Sequence, residues 1–145
     1  MNTTSEGSAN IMAALGQGLP MILLQFGLVL VLLIVGIVIY MAVTPFHERE
    51  LLRRGNAAAA TVLGGALVAL AIPLAALLAT TGALLDILVW GVVAVVLQLG
   101  TVMVVSLLLR GMRTMIEAGQ VAAAIPLVAA QLSIALLNAA AMVPA

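Results

Sequence analysis

The chain has 145 residues, of which 66% are hydrophobic and 7% are charged, and its mean hydropathy is +1.36. Soluble domains are typically about 45–50% apolar and about 25% charged, so this composition excludes a water-soluble globular protein. Five arginines balance five acidic residues and leave no basic field that would hold nucleic acid. With no cysteine and a single histidine, disulfide frameworks and the usual zinc sites are excluded as well.

Four apolar stretches are long enough to cross a membrane, because a spanning helix needs about 20 apolar residues. They cover residues 19–43, 57–79, 84–109 and 121–143. The segments between them are short, so neighbouring helices are expected to run antiparallel. No lysine or arginine precedes Arg49, whereas a secretory signal begins with a positive segment, so the first apolar stretch is expected to be a retained span.

The arginines predict the orientation in the membrane. All five lie in or beside the first and third connecting segments: Arg49, Arg53, Arg54, Arg110 and Arg113. Cytoplasmic loops carry an excess of positive residues, so both segments are expected in the cytoplasm and both termini in the periplasm. Tyr40 and Trp90 lie near the ends of their spans, where aromatic residues are common at the membrane interface.

A shift of 64 residues aligns the two halves of the chain. It places Gly55-Asn56 and the alanine run that follows onto Gly119-Gln120 and a second alanine run, which indicates an internal duplication. The predicted fold is therefore an all-α integral membrane protein with four transmembrane helices, arranged as two tandem parallel-repeat hairpins. Its expected parts are a periplasmic or interfacial tail at residues 1–18, repeat 1 at 19–80 and repeat 2 at 81–145.

Small residues indicate which helices pack together. The second and fourth spans are rich in alanine and glycine, with Gly64 and Gly65 in the first half of the second. Helices in lipid associate through close van der Waals approach, so these two spans are expected inside and the first and third outside. Their small residues occupy more than one face, which favours a homo-oligomer, although packing within one chain would explain them too.

Four amides lie inside the apolar spans. Counted from the span ends, Gln98 and Gln131 share one depth and Gln25 and Asn138 share another, so each pair is placed to form a hydrogen bond. Gln120, Gln131 and Asn138 also fall on one face of the fourth helix. This stripe serves either to join helices or to line a narrow hydrated path. No ionisable residue is expected at mid-membrane depth, which disfavours a proton-driven transporter.

Asn56 and Gln120 begin the two inner helices at equivalent positions. Each side-chain amide is expected to cap the free N–H groups of its helix start. Two adjacent helix N-termini that attract an anion at the cytoplasmic face are the alternative.

The first connecting segment carries the densest group of polar residues. Thr44 is predicted to cap a short helix that has Pro45 as its first residue and ends at Gly55. The candidate docking residues for a cytoplasmic protein are His47, Glu48, Arg49 and Arg53. A plain interfacial helix anchored by arginines is the alternative. A catalytic or metal-binding role is not expected, because His47 has no second histidine, cysteine or carboxylate pair at a suitable spacing.

These residues carry a resemblance to a known family. The matching segments are Thr44-Pro45-Phe46-His47-Glu48, Gly55-Asn56 with its alanine run, Gly64-Gly65-Ala66, Pro73-Leu74 and Leu137-Asn138-Ala139-Ala140. They resemble the DUF350 family from about residue 19 to the C-terminus. Phe46 replaces a common tyrosine, and Gln120 replaces an expected asparagine. The resemblance implies a small multi-pass protein of the bacterial inner membrane, built from copies of a two-helix unit and without an established activity.

The function expected from these observations is a non-enzymatic scaffold that lies in the lipid bilayer as a homo-oligomer and recruits a cytoplasmic protein partner. The alternative is a passive channel for a small ion or neutral solute, lined by the amides of the fourth helix. Neither reading requires a cofactor or a nucleic-acid partner.

Overall fold

The computed structural model describes residues 3–44, 47–108 and 111–143. Within these ranges the chain is all-helical and has no strand. The helices are α1 (Thr3–Val43), α2 (Glu48–Arg53), α3 (Ala57–Thr80), α4 (Leu84–Leu108), α5 (Met112–Glu117) and α6 (Val121–Met142).

Four of these helices are long and apolar enough to span a membrane, as the sequence predicts. The spanning segments are Ile11–Val43, Ala57–Thr80, Leu84–Leu108 and Val121–Met142. The first helix differs from the prediction, because it begins at Thr3 and continues through the expected tail with Pro20 inside it. The short helices α2 and α5 connect the long ones at the predicted cytoplasmic end.

The predicted close packing of the second and fourth spans is confirmed, because α3 and α6 form the most extensive contact in the bundle. The expectation that the third span lies outside was wrong, because α4 packs on α1, α3 and α6. The approach of α3 to α6 depends on small residues. A Cβ atom at Gly65 would lie 2.6 Å from Val128 Cγ1, so any larger residue there would push the helices apart. The neighbouring Gly64 instead faces open space. The sequence thus identified the right helices but not which of two adjacent glycines makes the contact.

The helix α1 packs on α4 and α3 through one narrow face. A Cβ atom at Gly36 would meet Val95 Cγ1 at 3.3 Å and Leu70 Cδ2 at 3.4 Å, and one at Gly91 would meet Leu32 Cδ1 at 2.5 Å. Most of the remaining α1 surface is exposed and apolar, as expected of a helix that faces lipid.

Two glycines end the short helices in the same way. Gly55 and Gly119 have φ values of +73° and +82°, a left-handed conformation that glycine adopts without a steric cost. The helices α2 and α3 begin 64 residues before α5 and α6, respectively. Each short helix is thereby followed at once by one helix of the closely packed pair, α3 or α6.

Candidate functional site

The short helix α2 begins later than the sequence predicts. Its N-cap is His47 rather than Thr44. The Thr44 hydroxyl instead donates a hydrogen bond of 2.6 Å to the carbonyl oxygen of Tyr40, at the end of α1. The predicted cap was therefore wrong. A threonine hydroxyl can instead donate a hydrogen bond to a backbone carbonyl oxygen in the preceding helical turn. Pro45 and Phe46 lie outside the described residues, as does Arg110.

The predicted docking residues divide between the surface and the interior. His47, Arg49 and Arg53 are exposed, but only 3% of Glu48 is accessible to solvent. Its placement in an exposed docking surface was therefore wrong. The physical reason is that α2 packs against α3, so one face of this six-residue helix is turned into the bundle. Glu48 lies on that face.

A buried polar cluster surrounds Glu48. The cluster comprises Tyr40, Glu48 and Gln131, which come from α1, α2 and α6. The Tyr40 hydroxyl lies beside the Glu48 carboxylate and the Gln131 amide, and all three side chains are at least nine-tenths buried. None of their polar side-chain atoms completes a hydrogen bond within the described chain. Such atoms are costly to bury, since each has lost its hydrogen bonds to water.

Tyr40 is the member of the cluster whose position differs most from expectation. The sequence suggests an interfacial aromatic residue near the end of its span, whereas only 1% of the side chain is exposed. It packs on the alanine-rich starts of α3 and α6. Those small residues leave room for a large ring, which carries its hydroxyl towards Gln131.

Burial dominates the electrostatics of Glu48. Removal of the carboxylate from water raises its pKa from 4.5 to about 7, and the neighbouring Tyr40 hydroxyl offsets part of the rise. The two salt bridges of the described residues are Arg54–Glu50 and Arg113–Glu117, both 2.9 Å long. No arginine in the described ranges therefore neutralises the Glu48 carboxylate.

An open groove lies beside the cluster. It has a volume of about 850 Å³ and lies between the end of α1 and α2. Glu48 lines this groove together with His47, Arg49 and Arg53, and apolar residues such as Met41 complete its walls. Since Glu48 itself is almost inaccessible, it forms part of the floor. The arginines are exposed and lie around it.

The amides at mid-span join α4 to α6, although not as the pairs that the sequence suggests. Gln98 Nε2 donates to the backbone oxygen of Gln131 at 2.9 Å, so the predicted common depth of these residues is confirmed while the acceptor is the main chain. Asn138 Nδ2 donates to the backbone oxygen of Ala94 at 3.4 Å. Both bonds link the same two helices and support the packing interpretation of the amides.

The expected pair of Gln25 with Asn138 was wrong. Gln25 Nε2 instead donates to the backbone oxygen of Gly82 at 2.6 Å, in the loop between α3 and α4. Gln25 therefore lies level with the end of the hairpin and not within the bundle. The reason is that α1 extends further than the other helices, so that counting from its predicted end misplaces this residue.

Asn56 caps α3, as predicted, and Gln120 does not cap α6. The Asn56 side chain accepts a hydrogen bond of 3.0 Å from the Ala59 N–H. Its amide nitrogen also donates to the carbonyl oxygens of Ile116 and Glu117, at 2.9 and 3.1 Å. Asn56 thereby ties the start of α3 to the end of α5. Gln120 is the backbone N-cap of α6 but makes no capping bond with its exposed side chain.

Comparison with known proteins identifies one family. Residues 14–142 match the family described as Domain of Unknown Function (DUF350). No curated protein matches the chain, and no solved structure does. The match covers most of the chain and includes every member of the buried polar cluster. The chain, with its four helices that are long and apolar enough to span a membrane, belongs to the DUF350 family.

Proposed function

We propose that the protein is a non-enzymatic, homo-oligomeric scaffold of the bacterial inner membrane that recruits a cytoplasmic protein through α2. The observation that supports this proposal is that two exposed arginines of α2 have no salt-bridge partner among the described residues. These residues, Arg49 and Arg53, lie at the groove beside α2. Arg54 and Arg113, in contrast, each pair with a glutamate four residues away.

The groove defines the chemistry of the partner. Guanidinium groups bind carboxylates through paired hydrogen bonds, and Arg49 and Arg53 are one helical turn apart. Apolar side chains, among them Met41 and Leu52, line the rest of the groove. An acidic segment that carries an apolar side chain fits this combination. The rival reading is an interfacial helix whose arginines contact lipid phosphates.

Two apolar surfaces that remain exposed in a single chain support the homo-oligomer. Gly64 presents a small-residue surface with no atom near its position, which is suitable for the close approach of another helix. The part of α1 before Gln25 continues beyond the Gly82 loop, and its large apolar residues, such as Ile11 and Leu15, are exposed. A second copy would cover both.

The proposed internal repeat and topology rest on corresponding features of the two halves. The start positions of α2 and α3 recur 64 residues later in α5 and α6, and the glycines with positive φ follow the same spacing. This correspondence supports a duplication of the two-helix unit. The arginines beside α2 and α5 support a cytoplasmic location for both short helices, with both termini in the periplasm.

A passive channel remains the alternative. The hydrogen bonds of Gln98 and Asn138 to backbone oxygens favour helix packing over a hydrated path, and Gln131 is fully buried. Ion or solute flux through reconstituted vesicles tests this alternative directly. Flux that Gln131→Leu abolishes without a loss of thermal stability would favour the channel.

The docking proposal is tested by reversal of the two unpaired charges. Arg49→Glu with Arg53→Glu is compared with a control of equal change in net charge, Arg54→Glu with Arg113→Glu. Each protein carries a photoreactive residue at Leu52, and proteins cross-linked in intact cells are identified after purification. The partner is then purified and its affinity for the protein is measured in nanodiscs of neutral lipid.

We expect the first double variant to lose cross-linking and affinity by at least roughly tenfold, and the control to retain most of both. Reporter fusions check that the membrane orientation is preserved, as the remaining arginines predict. An equal loss in both variants would contradict a specific docking face. Association that requires anionic lipid and no protein would leave α2 as an interfacial helix.

A further inference from the structure

The buried polar cluster contains more acceptor atoms than the surrounding residues satisfy. Its unpartnered atoms are Tyr40 Oη, both carboxylate oxygens of Glu48, and Oε1 and Nε2 of Gln131. Gln98 Oε1 has no partner either, while Gln98 Nε2 donates a hydrogen bond to the backbone oxygen of Gln131. Among these side-chain atoms without a hydrogen-bond partner, five are oxygen and one is nitrogen.

The hydrogen-bond inventory of the cluster is correspondingly short of donors. An ionised carboxylate only accepts hydrogen bonds, a tyrosine hydroxyl donates one, and an amide nitrogen donates two. The Thr44 hydroxyl does not make up the difference, because it already donates to the Tyr40 carbonyl oxygen. An occupant that is positively charged and prefers oxygen ligands would satisfy these atoms together.

The net charge of the cluster limits the charge of that occupant. Glu48 supplies the only negative charge, and no described arginine pairs with it. One monovalent cation makes the site neutral, whereas a divalent ion would leave an excess positive charge in a buried place, which is costly. The described residues also contain no group of three His, Cys, Asp or Glu side chains that would hold a multivalent metal.

An ion would have access to the site from the predicted cytoplasmic side. Glu48 lines the groove beside α2, and the Tyr40 hydroxyl lies next to both the Glu48 carboxylate and the Gln131 amide. The charged residues around the groove are Arg49, Glu50 and Arg53. Glu50 is already paired with Arg54, so Glu48 is the acidic residue of the groove that has no arginine partner among the described residues and that attracts the cation.

We propose that Tyr40, Glu48 and Gln131 form a binding site for one alkali cation, Na⁺ or K⁺, which reaches the site through the groove beside α2. The ligands are the Glu48 carboxylate, the Tyr40 hydroxyl oxygen and the Gln131 side-chain oxygen. Hard cations of this kind prefer carboxylate, carbonyl and hydroxyl oxygens, which are the atoms left without partners here. The site does not depend on the docking role of Arg49 and Arg53.

The test uses the full chain, purified in detergent at about pH 8, where Glu48 is ionised. The thermal unfolding midpoint is measured while NaCl or KCl replaces choline chloride at constant ionic strength. A ligand that binds only the folded state raises the midpoint in a saturable manner. Binding of radioactive sodium to the same protein measures the stoichiometry, which we expect to be one ion per chain.

Three variants locate the site. Glu48→Gln should abolish both the rise in the midpoint and the sodium binding. Tyr40→Phe, which removes only the hydroxyl, should weaken binding by roughly tenfold. The matched control is Glu50→Gln, which removes the same charge from an exposed position on the same helix and should bind as the wild type does.

Two results would overturn the site. The first is a wild-type unfolding midpoint that does not change when alkali ions replace choline. If that midpoint changes with pH alone, a proton and not an alkali ion occupies the site. The second is an equal response in Glu48→Gln, since the effect would then be a general one of salt. Should Glu48→Gln fail to fold, the wild type at about pH 5 replaces it, because protonation of Glu48 must also abolish the response.

Discussion

The cost of burying Glu48 makes the stability of this protein depend on pH in a direction opposite to that of most carboxylates. Surface and salt-bridged carboxylates usually have lowered pKa values and stabilise the folded state at neutral pH. Burial instead raises the pKa of Glu48 from 4.5 to about 7. The folded state therefore binds the Glu48 proton more tightly than the unfolded state does.

The sign and size of the effect follow from this difference. Below about pH 4.5 both states are protonated and Glu48 contributes nothing, and as the pH rises to about 7 the folded state loses stability. The interval between the two pKa values corresponds to at most about 3 kcal/mol in the free energy of unfolding. Screening by solvent around the exposed residues of α2 reduces this figure, so we expect about 1–3 kcal/mol above pH 7.

Replacement of Glu48 by Gln removes the charge and with it the penalty. We expect Glu48→Gln to be more stable than the wild type above pH 7 and equal to it near pH 4.5. The assay is the thermal midpoint in detergent from about pH 4.5 to 8.5, with choline as the only other cation. All proteins carry His47→Gln, so that the single histidine of the chain does not contribute to the comparison. The thermal midpoint of Glu50→Gln should change with pH in the same way as that of the wild type.

A wild-type midpoint that stays constant or increases between pH 5 and 8 would refute the reasoning. An equally steep decrease in Glu48→Gln would do the same, because another group would then be responsible. Alkali ions provide an internal check, since bound cation and proton compete for Glu48. At pH 8 sodium should restore part of the stability that the wild type loses in choline.

The other predictions concern packing, capping and topology. Gly65→Leu should abolish the folded monomer in detergent, because a side chain there would overlap Val128, whereas Gly64→Leu should leave the monomer intact and reduce cross-linking between copies. Gln98→Leu should cost about 0.6–2 kcal/mol in thermal stability through loss of its bond to α6. Asn56→Ala should lower the midpoint by the equivalent of about 1–2 kcal/mol, and the same change at the exposed Gln120 by less than about 0.5. A reporter fused to the C-terminus should be periplasmic, and a cytoplasmic signal would contradict the orientation.

The spans and the close packing of α3 with α6 could be predicted because their signals are local. The thickness of a membrane sets the length of an apolar helix, and small residues mark the surfaces where helices approach closely. The common depth of Gln98 and Gln131 follows from counting along two spans whose ends were correctly placed. The cap at Asn56 depends on residues within one turn of it.

The buried polar cluster could not be predicted, because its contacts join distant parts of the chain. The segment around α2 alternates charges over only six helical residues, too few to indicate which face packs on the bundle. The burial of Tyr40 depends on space left by alanines in α3 and α6. Gln25 was misplaced for a related reason, since an apolar stretch longer than the membrane does not show which part of it lies in the bundle.

The two roles proposed for α2 are coupled, because both depend on the position of one short helix. The packing of α2 on α3 buries Glu48 on one face of the helix and leaves Arg49 and Arg53 exposed on the outside. A cation that neutralises Glu48 stabilises this position of α2. A protein partner that binds α2 in this position would then bind more tightly when the cluster is occupied, and reciprocity requires the partner to strengthen cation binding by the same factor. The ratio of the partner's affinities in sodium and in choline gives this coupling factor. The ratio of the sodium affinities with and without the partner should give the same factor.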